Sequence, residues 1–206
     1  MFIEDSVGDT AQPGFLSICR KRELLPKRLN RILYSGAAAD SDAYKSFCEL
    51  FPGADLVSTD IAPGTNVQLI WDQEKPPEDA QRQQFDLFIT TSVLEHVRRP
   101  WLAAPNIEMC LRRPHGLLYI SVPWVWRYHE YPDDYWRFSP PSLDILFHNT
   151  KPLLTMWSTS PDCQLHEWDN HLDNKLSLTI SGKQISKAGR KYLPYLLLHQ
   201  LRVVAS

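Results

Sequence analysis

The chain reads as an α/β protein built on a mostly parallel sheet, and three observations carry that reading. Short apolar runs at residues 32–35, 55–60, 85–90 and 117–122 alternate with segments of helical periodicity. Glycine and proline punctuate the junctions, at Gly36, Pro52-Gly53, Pro63-Gly64 and Pro100. Polar and ionisable residues gather just past two of the strands, at Thr90-Thr91-Ser92-Val93-Leu94-Glu95-His96 and at residues 129–138. Strands that alternate with helices in this rhythm pair in parallel through right-handed crossovers. In such sheets ligands bind at the carboxyl ends of the strands.

The elements follow in order. Residues 1–30 mix polar and apolar side chains and read as an N-terminal appendage, helical around residues 15–25. Residues 31–206 read as one domain, because 206 residues bury one good core and not two comfortable ones. Ile32-Leu33-Tyr34-Ser35 is a first strand, closed by Gly36. Asp40 or Ser41 can cap the following helix, whose Tyr44, Phe47, Cys48 and Phe51 share one face at i, i+3, i+4, i+7. Pro52-Gly53 ends it. Residues 55–60 and 67–72 are strands that each finish on a carboxylate, Asp60 and Asp72. Residues 73–83 are a polar loop, and the fourth strand runs over 85–90. Pro100 opens a helix at a position where a missing N–H costs nothing, with Ala103, Ile107, Cys110 and Leu111 on its inner face. A fifth strand spans 117–122, a helix begins at Ser139-Pro140, and residues 153–157 and 176–180 suggest two more strands. Residues 192–204 read as a terminal amphipathic helix.

Composition narrows the function classes. A net charge of −2 gives no general attraction for nucleic acid or anionic membrane. A solvated helix face accounts for the local run Lys183, Lys187, Arg190 and Lys191, with an anionic partner as the alternative. No apolar stretch reaches the ~18 residues of a spanning helix, and the start lacks the basic-then-apolar order of a secretory signal. Cys19, Cys48, Cys110 and Cys163 are scattered without a Cys-x-x-Cys pair, which suits a reducing, cytoplasmic setting. Cys163, His166 and His171 lack the spacing of a metal site, and no metal is expected.

A strand, a tight glycine turn and a capped helix can cradle the polar end of a nucleotide-like cofactor. Asp60 follows Gly36 by 24 residues, about where a carboxylate binds ribose hydroxyls. Asp72 could accept from an adenine amine. Both S-adenosylmethionine and a nicotinamide dinucleotide use this geometry. The dinucleotide fingerprint places glycines where this chain has Gly36, Ala38 and Ser41.

Residues 85–97, then Pro100-Trp101 and Arg113-Pro114-His115-Gly116, with Asp134-Tyr135-Trp136-Arg137-Phe138 after the fifth strand, carry a family resemblance. Together they resemble the class I S-adenosylmethionine-dependent methyltransferases, in the branch whose fourth strand ends in Leu-Glu-His. The resemblance covers residues 31–147. It implies a Rossmann-like fold, a seven-stranded sheet with helices on both faces, and S-adenosylmethionine as cofactor. It places Ser35, Gly36, Ala37 and Ala38 at the methionine part of the cofactor, Asp60 at the ribose, Asp72 at the adenine, and Thr91 and Ser92 near the sulfonium, with Ile61 a further cofactor contact. Tyr34 stands where the family carries an acidic residue, and Ala38 and Asp40 replace further glycines. Ubiquinone-pathway O-methyltransferases, similar here, carry Glu-x-x-Glu-His and a divalent cation. Ser92 replaces the first of those carboxylates, so that cation is not expected.

Methyl transfer to a hydroxyl needs a base, and histidine matches neutral pH. His96 and His129 are the candidates; a structural hydrogen bond for His96 and a surface loop position for His129 are the alternatives. Glu95, Tyr135, Trp136 and Arg137 are candidate substrate contacts, with an Asp134–Arg137 ion pair as the structural alternative for the last. The segment 119–138 holds 8 of the chain's 23 aromatic residues, enough either to line an acceptor pocket or to form a satellite core. The sequence therefore points to a methyltransferase acting at oxygen on a small molecule or glycan intermediate. A catalytically inactive protein of the same fold and a nicotinamide-dependent oxidoreductase are the rivals. Oligomeric state is not legible.

Overall fold

The structure, a computed structural model, describes residues 6–37, 42–129, 133–159, 165–168 and 196–205. Its strands are β1 (Arg31–Ser35), β2 (Asp55–Asp60), β3 (Leu69–Ile70), β4 (Leu87–Thr91), β5 (Leu117–Val125), β6 (Thr150–Thr159), β7 (Leu165–Glu167) and β8 (Leu196–Val204). Its helices are α1 (Ser6–Lys21), α2 (Asp42–Leu50), α3 (Pro100–Cys110) and α4 (Pro140–Leu146). The strands form one sheet in the order β3-β2-β1-β4-β5-β8-β6-β7. The first five pair in parallel, and β8 runs antiparallel between β5 and β6. β1 to β6 stand where strands were expected; β8 and β7, a three-residue strand at the edge, were not among them.

Side-chain alternation explains why helices cover both faces. Ile32, Tyr34, Leu87, Ile89 and Tyr119 point to one side, where Phe15, Leu16 and Cys19 of α1 and Phe47 of α2 pack on them. Leu33, Phe88, Leu118 and Ile120 point to the other, against Ala104, Ile107 and Cys110 of α3 and Leu143 of α4. All five residues of β4 are buried, as expected of a central parallel strand with both faces covered. Each fully buried Leu, Ile or Phe contributes about 1.5–3 kcal/mol. The helix near the N-terminus thus belongs to the main core, with the Phe15 ring stacked 5.0 Å from that of Tyr119.

Three expectations are corrected. The terminal helix is a strand, β8, from Leu196 onward. Its neighbours β5 and β6 supply backbone partners along its length, and Leu196 to Arg202 are all buried. Consecutive apolar residues flanking His199, Gln200 and Arg202 suit an inner strand covered on both faces, a context that local periodicity does not carry. The third strand is only two residues long, because the chain leaves the sheet after Ile70. Cys48 is exposed and Phe47 and Phe51 alone of that predicted face are fully buried. The strand expected at 176–180 and the basic run at 183–191 lie outside the described residues. Among the described residues, no helix is long and apolar enough to cross a membrane.

His199 of β8 is completely buried. Its Nδ1 lies 3.1 Å from the Tyr119 hydroxyl and its Nε2 2.8 Å from Ser158 Oγ. Burial pushes its pKa down to about 3 from an ordinary 6.5. The unfolded chain therefore binds a proton that the folded chain refuses between those values, and stability falls as pH drops below 6.5. Between pH 7 and pH 5 the wild type should lose about 2 kcal/mol more than His199→Gln. Urea unfolding of both proteins at the two pH values measures this, and parallel losses would contradict it.

Candidate active site

The carboxyl ends of β1, β2, β4 and β5 lie along one edge, and the strand order reverses between β1 and β4. Open parallel sheets bind ligands at such a switch point. β1 ends at the buried Ser35, and the chain turns at Gly36 with φ +91°. A Cβ at Gly36 would sit 2.7 Å from Val93 Cγ2, so only glycine fits this backbone. The N–H groups of Gly36 and Ala37 both donate to the Thr59 carbonyl, at 3.1 and 3.4 Å. The turn therefore offers close approach to its backbone, while those two donors are committed to β2. Ala38, assigned with them to the cofactor, lies outside the described residues.

Asp60 closes β2, and its Oδ1 accepts the Ala62 N–H at 3.1 Å. Ile61 follows it and Ile70 is its register partner on β3; both are more than 60% exposed. Two open aliphatic side chains beside a carboxylate form a surface suited to a flat ring attached to a polyol. Asp72 is placed differently. Its Oδ1 accepts the Glu74 N–H at 3.0 Å and its Oδ2 faces Lys75 Nζ at 3.4 Å, which commits the carboxylate to its own turn. Thr91 is buried at the end of β4, and Ser92 turns the chain in the left-handed region with φ +51°. The Ser92 N–H donates to the Ser121 carbonyl at 2.9 Å, tying this turn to β5.

That turn carries a short 3-10 helix, Leu94–His96, over the sheet edge. Glu95 is 1% exposed, and its Oε2 has no hydrogen-bond partner. Burial raises its carboxyl to a pKa of about 8, so the neutral acid prevails at pH 7. His96 Nδ1 lies 2.5 Å from the Asp133 carbonyl. A carbonyl only accepts, so Nδ1 carries the hydrogen and Nε2 presents a lone pair, 3.9 Å from Glu95 Oε1. Burial also lowers the His96 pKa, against the opposing hydrogen bond to Asp133. His129, past the end of β5, meets His96 edge to face with ring centroids 5.0 Å apart. The two imidazoles and Glu95 thus share one corner of the rim, although 33 residues separate His96 from His129 in the chain.

The remaining candidates build the wall of this corner. Asp134 has a fully covered side chain, forms a bidentate pair with Arg137 and accepts the His129 N–H at 2.8 Å. His129 Nδ1 is 3.0 Å from Asp134 Oδ2, an ionic approach off the line of a hydrogen bond. Arg137 also donates to the Trp126, Arg127 and Trp136 carbonyls. Its donors are spent within the protein, so it fixes the loop and has little left for a substrate. The Trp136 indole N–H donates to the Val97 carbonyl at 3.0 Å, and the Tyr135 hydroxyl donates to Asp133 at 2.7 Å. The Tyr135 and Trp136 N–H groups both point at the Glu95 carbonyl. Trp124 packs edge-on against Trp168 beside the core, and Trp126 tilts toward His129. Asp133 and the Glu95 carbonyl are orienting groups that the sequence did not reveal, because backbone acceptors leave no residue-type signal.

No protein-family model and no curated protein matches the chain. Solved structures do. A protein assigned as a sarcosine dimethylglycine methyltransferase from Galdieria sulphuraria superposes with a TM-score of 0.60 at 12% identity, over 93% of this chain and 84% of that one. An S-adenosylmethionine-dependent methyltransferase from Aquifex aeolicus gives 0.58 at 11% identity, over 98% and 94%. Phosphoethanolamine N-methyltransferase 2 of Haemonchus contortus, solved with phosphomonomethylethanolamine and S-adenosylhomocysteine, gives 0.56 at 12% identity, over 94% of this chain and 53% of that one. This chain therefore spans about half of that enzyme's length. With its central switch point, parallel strands and inserted antiparallel β8, the chain has the Rossmann-like fold of the class I S-adenosylmethionine-dependent methyltransferases.

Proposed function

We propose that the protein transfers a methyl group from S-adenosylmethionine to an oxygen of a small-molecule or glycan-intermediate acceptor, in a cytoplasmic setting. The observation that carries this reading is the pairing of Gly36, where any Cβ would collide with Val93, with the Asp60 carboxylate at the end of the adjoining strand. The cleared backbone suits the methionine end of the cofactor, Asp60 its ribose hydroxyls, and Ile61 and Ile70 its adenine face. Thr91 and Ser92 stand between this side and the histidine corner. When bound, S-adenosylmethionine supplies an already activated methyl group on a sulfonium. The chain has to align the acceptor, exclude water and take up the acceptor's proton. His96 Nε2 fits the last task, because Asp133 holds the ring in the tautomer with its lone pair free. Glu95, closed beneath it, keeps its Oε1 3.9 Å from that lone pair, beyond hydrogen-bond reach.

Calorimetry tests the reading. Wild-type protein should bind S-adenosylmethionine, and Asp60→Ala should weaken binding about 10- to 100-fold, the worth of hydrogen bonds to a charged acceptor. Absence of heat at millimolar ligand would leave a binding protein of this fold without the donor. Tight binding of NADH instead would favour hydride chemistry. Mass analysis of the methylated product then separates oxygen from nitrogen acceptors.

A further inference from the structure

We infer that Glu95, His96 and His129 form a binding site for one divalent first-row transition cation, of the zinc and cobalt kind. The inference stands on side-chain geometry and does not rest on the methyl-transfer reading. Each of the three side chains offers one donor atom, and the three donors lie within 4.8 Å of one another. Modest side-chain rotation brings such a set to the roughly 3–3.5 Å separation of ligands around one ion with bonds of about 2.1 Å.

Two features distinguish this corner from a chance meeting of polar groups. Glu95 Oε2 is enclosed without any partner, an uncommon state for a buried oxygen. The His96 imidazole is also braced from behind, and Asp134 lies behind His129, off the line of a hydrogen bond. His96 gives its Nδ1 hydrogen to the Asp133 carbonyl, and His129 has Asp134 3.0 Å from Nδ1. A carbonyl or carboxylate behind the ring is the arrangement that fixes a metal-binding histidine, leaving the other nitrogen to face the ion. Asp134 is itself fixed by Arg137 and by the His129 N–H. Among the described residues this is the one group of three such side chains with donors so close.

The donor set selects the ion. Two imidazoles and one carboxylate suit zinc, cobalt or ferrous iron, whereas magnesium and calcium prefer oxygen ligands throughout. On binding, the Glu95 carboxyl proton leaves to solvent and the carboxylate takes its place at the cation. Three protein ligands leave positions open for water or an added ligand. With the cation in place the His96 lone pair is committed, so its role as a proton acceptor belongs to the cation-free protein. The inferred set differs from the motif behind the expectation of no metal, because it makes no use of position 92. The third donor comes from the far end of β5, where no local spacing would show it.

Tag-free protein, stripped with a chelator and titrated with Co²⁺, tests the site. Wild type should develop the visible absorption of protein-bound cobalt with one equivalent, lost on adding Zn²⁺, and should show no comparable binding of Mg²⁺. Glu95→Gln and His129→Asn should each weaken Co²⁺ binding about tenfold or more, while His166→Asn leaves it unchanged. S-adenosylmethionine affinity, measured separately, should stay within about threefold in both variants, so failure of the cation site and failure of the methyltransferase reading are distinguishable. If a variant does not fold, imidazole nitrogen resonances of the wild type report the same contact, with those of His96 and His129 moving on Zn²⁺ addition. Absence of cobalt absorption, binding unaltered in Glu95→Gln, or resonances that stay in place would each overturn the inference.

Discussion

Arg202→Ala is expected to cost about 4 kcal/mol of folding stability, a large share of the 5–15 kcal/mol typical of a domain. Arg202 lies in β8 with 1% of its surface exposed, and all five of its N–H groups have acceptors. Nε donates to Thr150 Oγ1 at 2.7 Å, Nη1 to Asp144 at 2.7 Å and to Gln200 Oε1 at 2.5 Å, and Nη2 to the Phe147 and Thr150 carbonyls at 3.2 and 3.0 Å. Truncation opens a cavity and strips donors from acceptors at the junction of α4, β6 and β8. Lysine, with three donors on a flexible stem, should recover less than half of the loss. Asp144 is half exposed, so Asp144→Ala should cost much less than Arg202→Ala. Urea unfolding measures all three, and a loss under about 1 kcal/mol for Arg202→Ala would contradict the assignment.

Asp134→Ala should destabilise the protein by about 3 kcal/mol and release the loop that holds the histidine corner. The Arg137 guanidinium holds the Asp134 carboxyl down at about 2, against an ordinary 3.8. A group depressed in this way contributes its stability fully above pH 3.8 and loses it as pH falls through about 2. This contribution is therefore equal at pH 7 and pH 5, and it adds nothing to the pH dependence in that interval. Arg137→Ala should cost at least as much as Asp134→Ala, because it leaves a fully covered carboxylate without its partner, whereas Arg137 is partly exposed and keeps three carbonyl acceptors. The double variant should cost less than the sum, with a coupling of about 2 kcal/mol. Additive losses would mean that the pair does not act as a unit. The resonances of His129 should broaden in Asp134→Ala, since the carboxylate that restrains its backbone and ring is gone.

Much of the fold could be read from local pattern. The runs at β1, β2, β4 and β5, the proline that opens α3 and the glycine after β1 are short-range signals, and each stands where periodicity and punctuation put it. β8 could not be read in this way. Leucines 196–198, 201 and the flanking valines fit a helical face as well as a strand, and pairing with β5 and β6, distant in sequence, decided between them. The same holds for Arg202 and His199, ordinary polar residues in the sequence whose burial is set by elements some fifty to eighty positions away.

The site divides along the same line. The sequence by itself determined which residues leave the carboxyl ends of the strands, since strand ends and turns are local: Gly36, Asp60, Thr91, Ser92, Glu95 and His96. Tertiary structure alone decided what those residues face. It committed Asp72 to its own turn, spent Arg137 on Asp134 and three carbonyls, sealed Glu95 Oε2 without a hydrogen-bond partner and brought His129 against His96. Identity and spacing fix a residue's chemistry. Its neighbours across the sheet fix solvation and hydrogen bonding, and these determine whether that chemistry is spent on the fold or left available to a ligand.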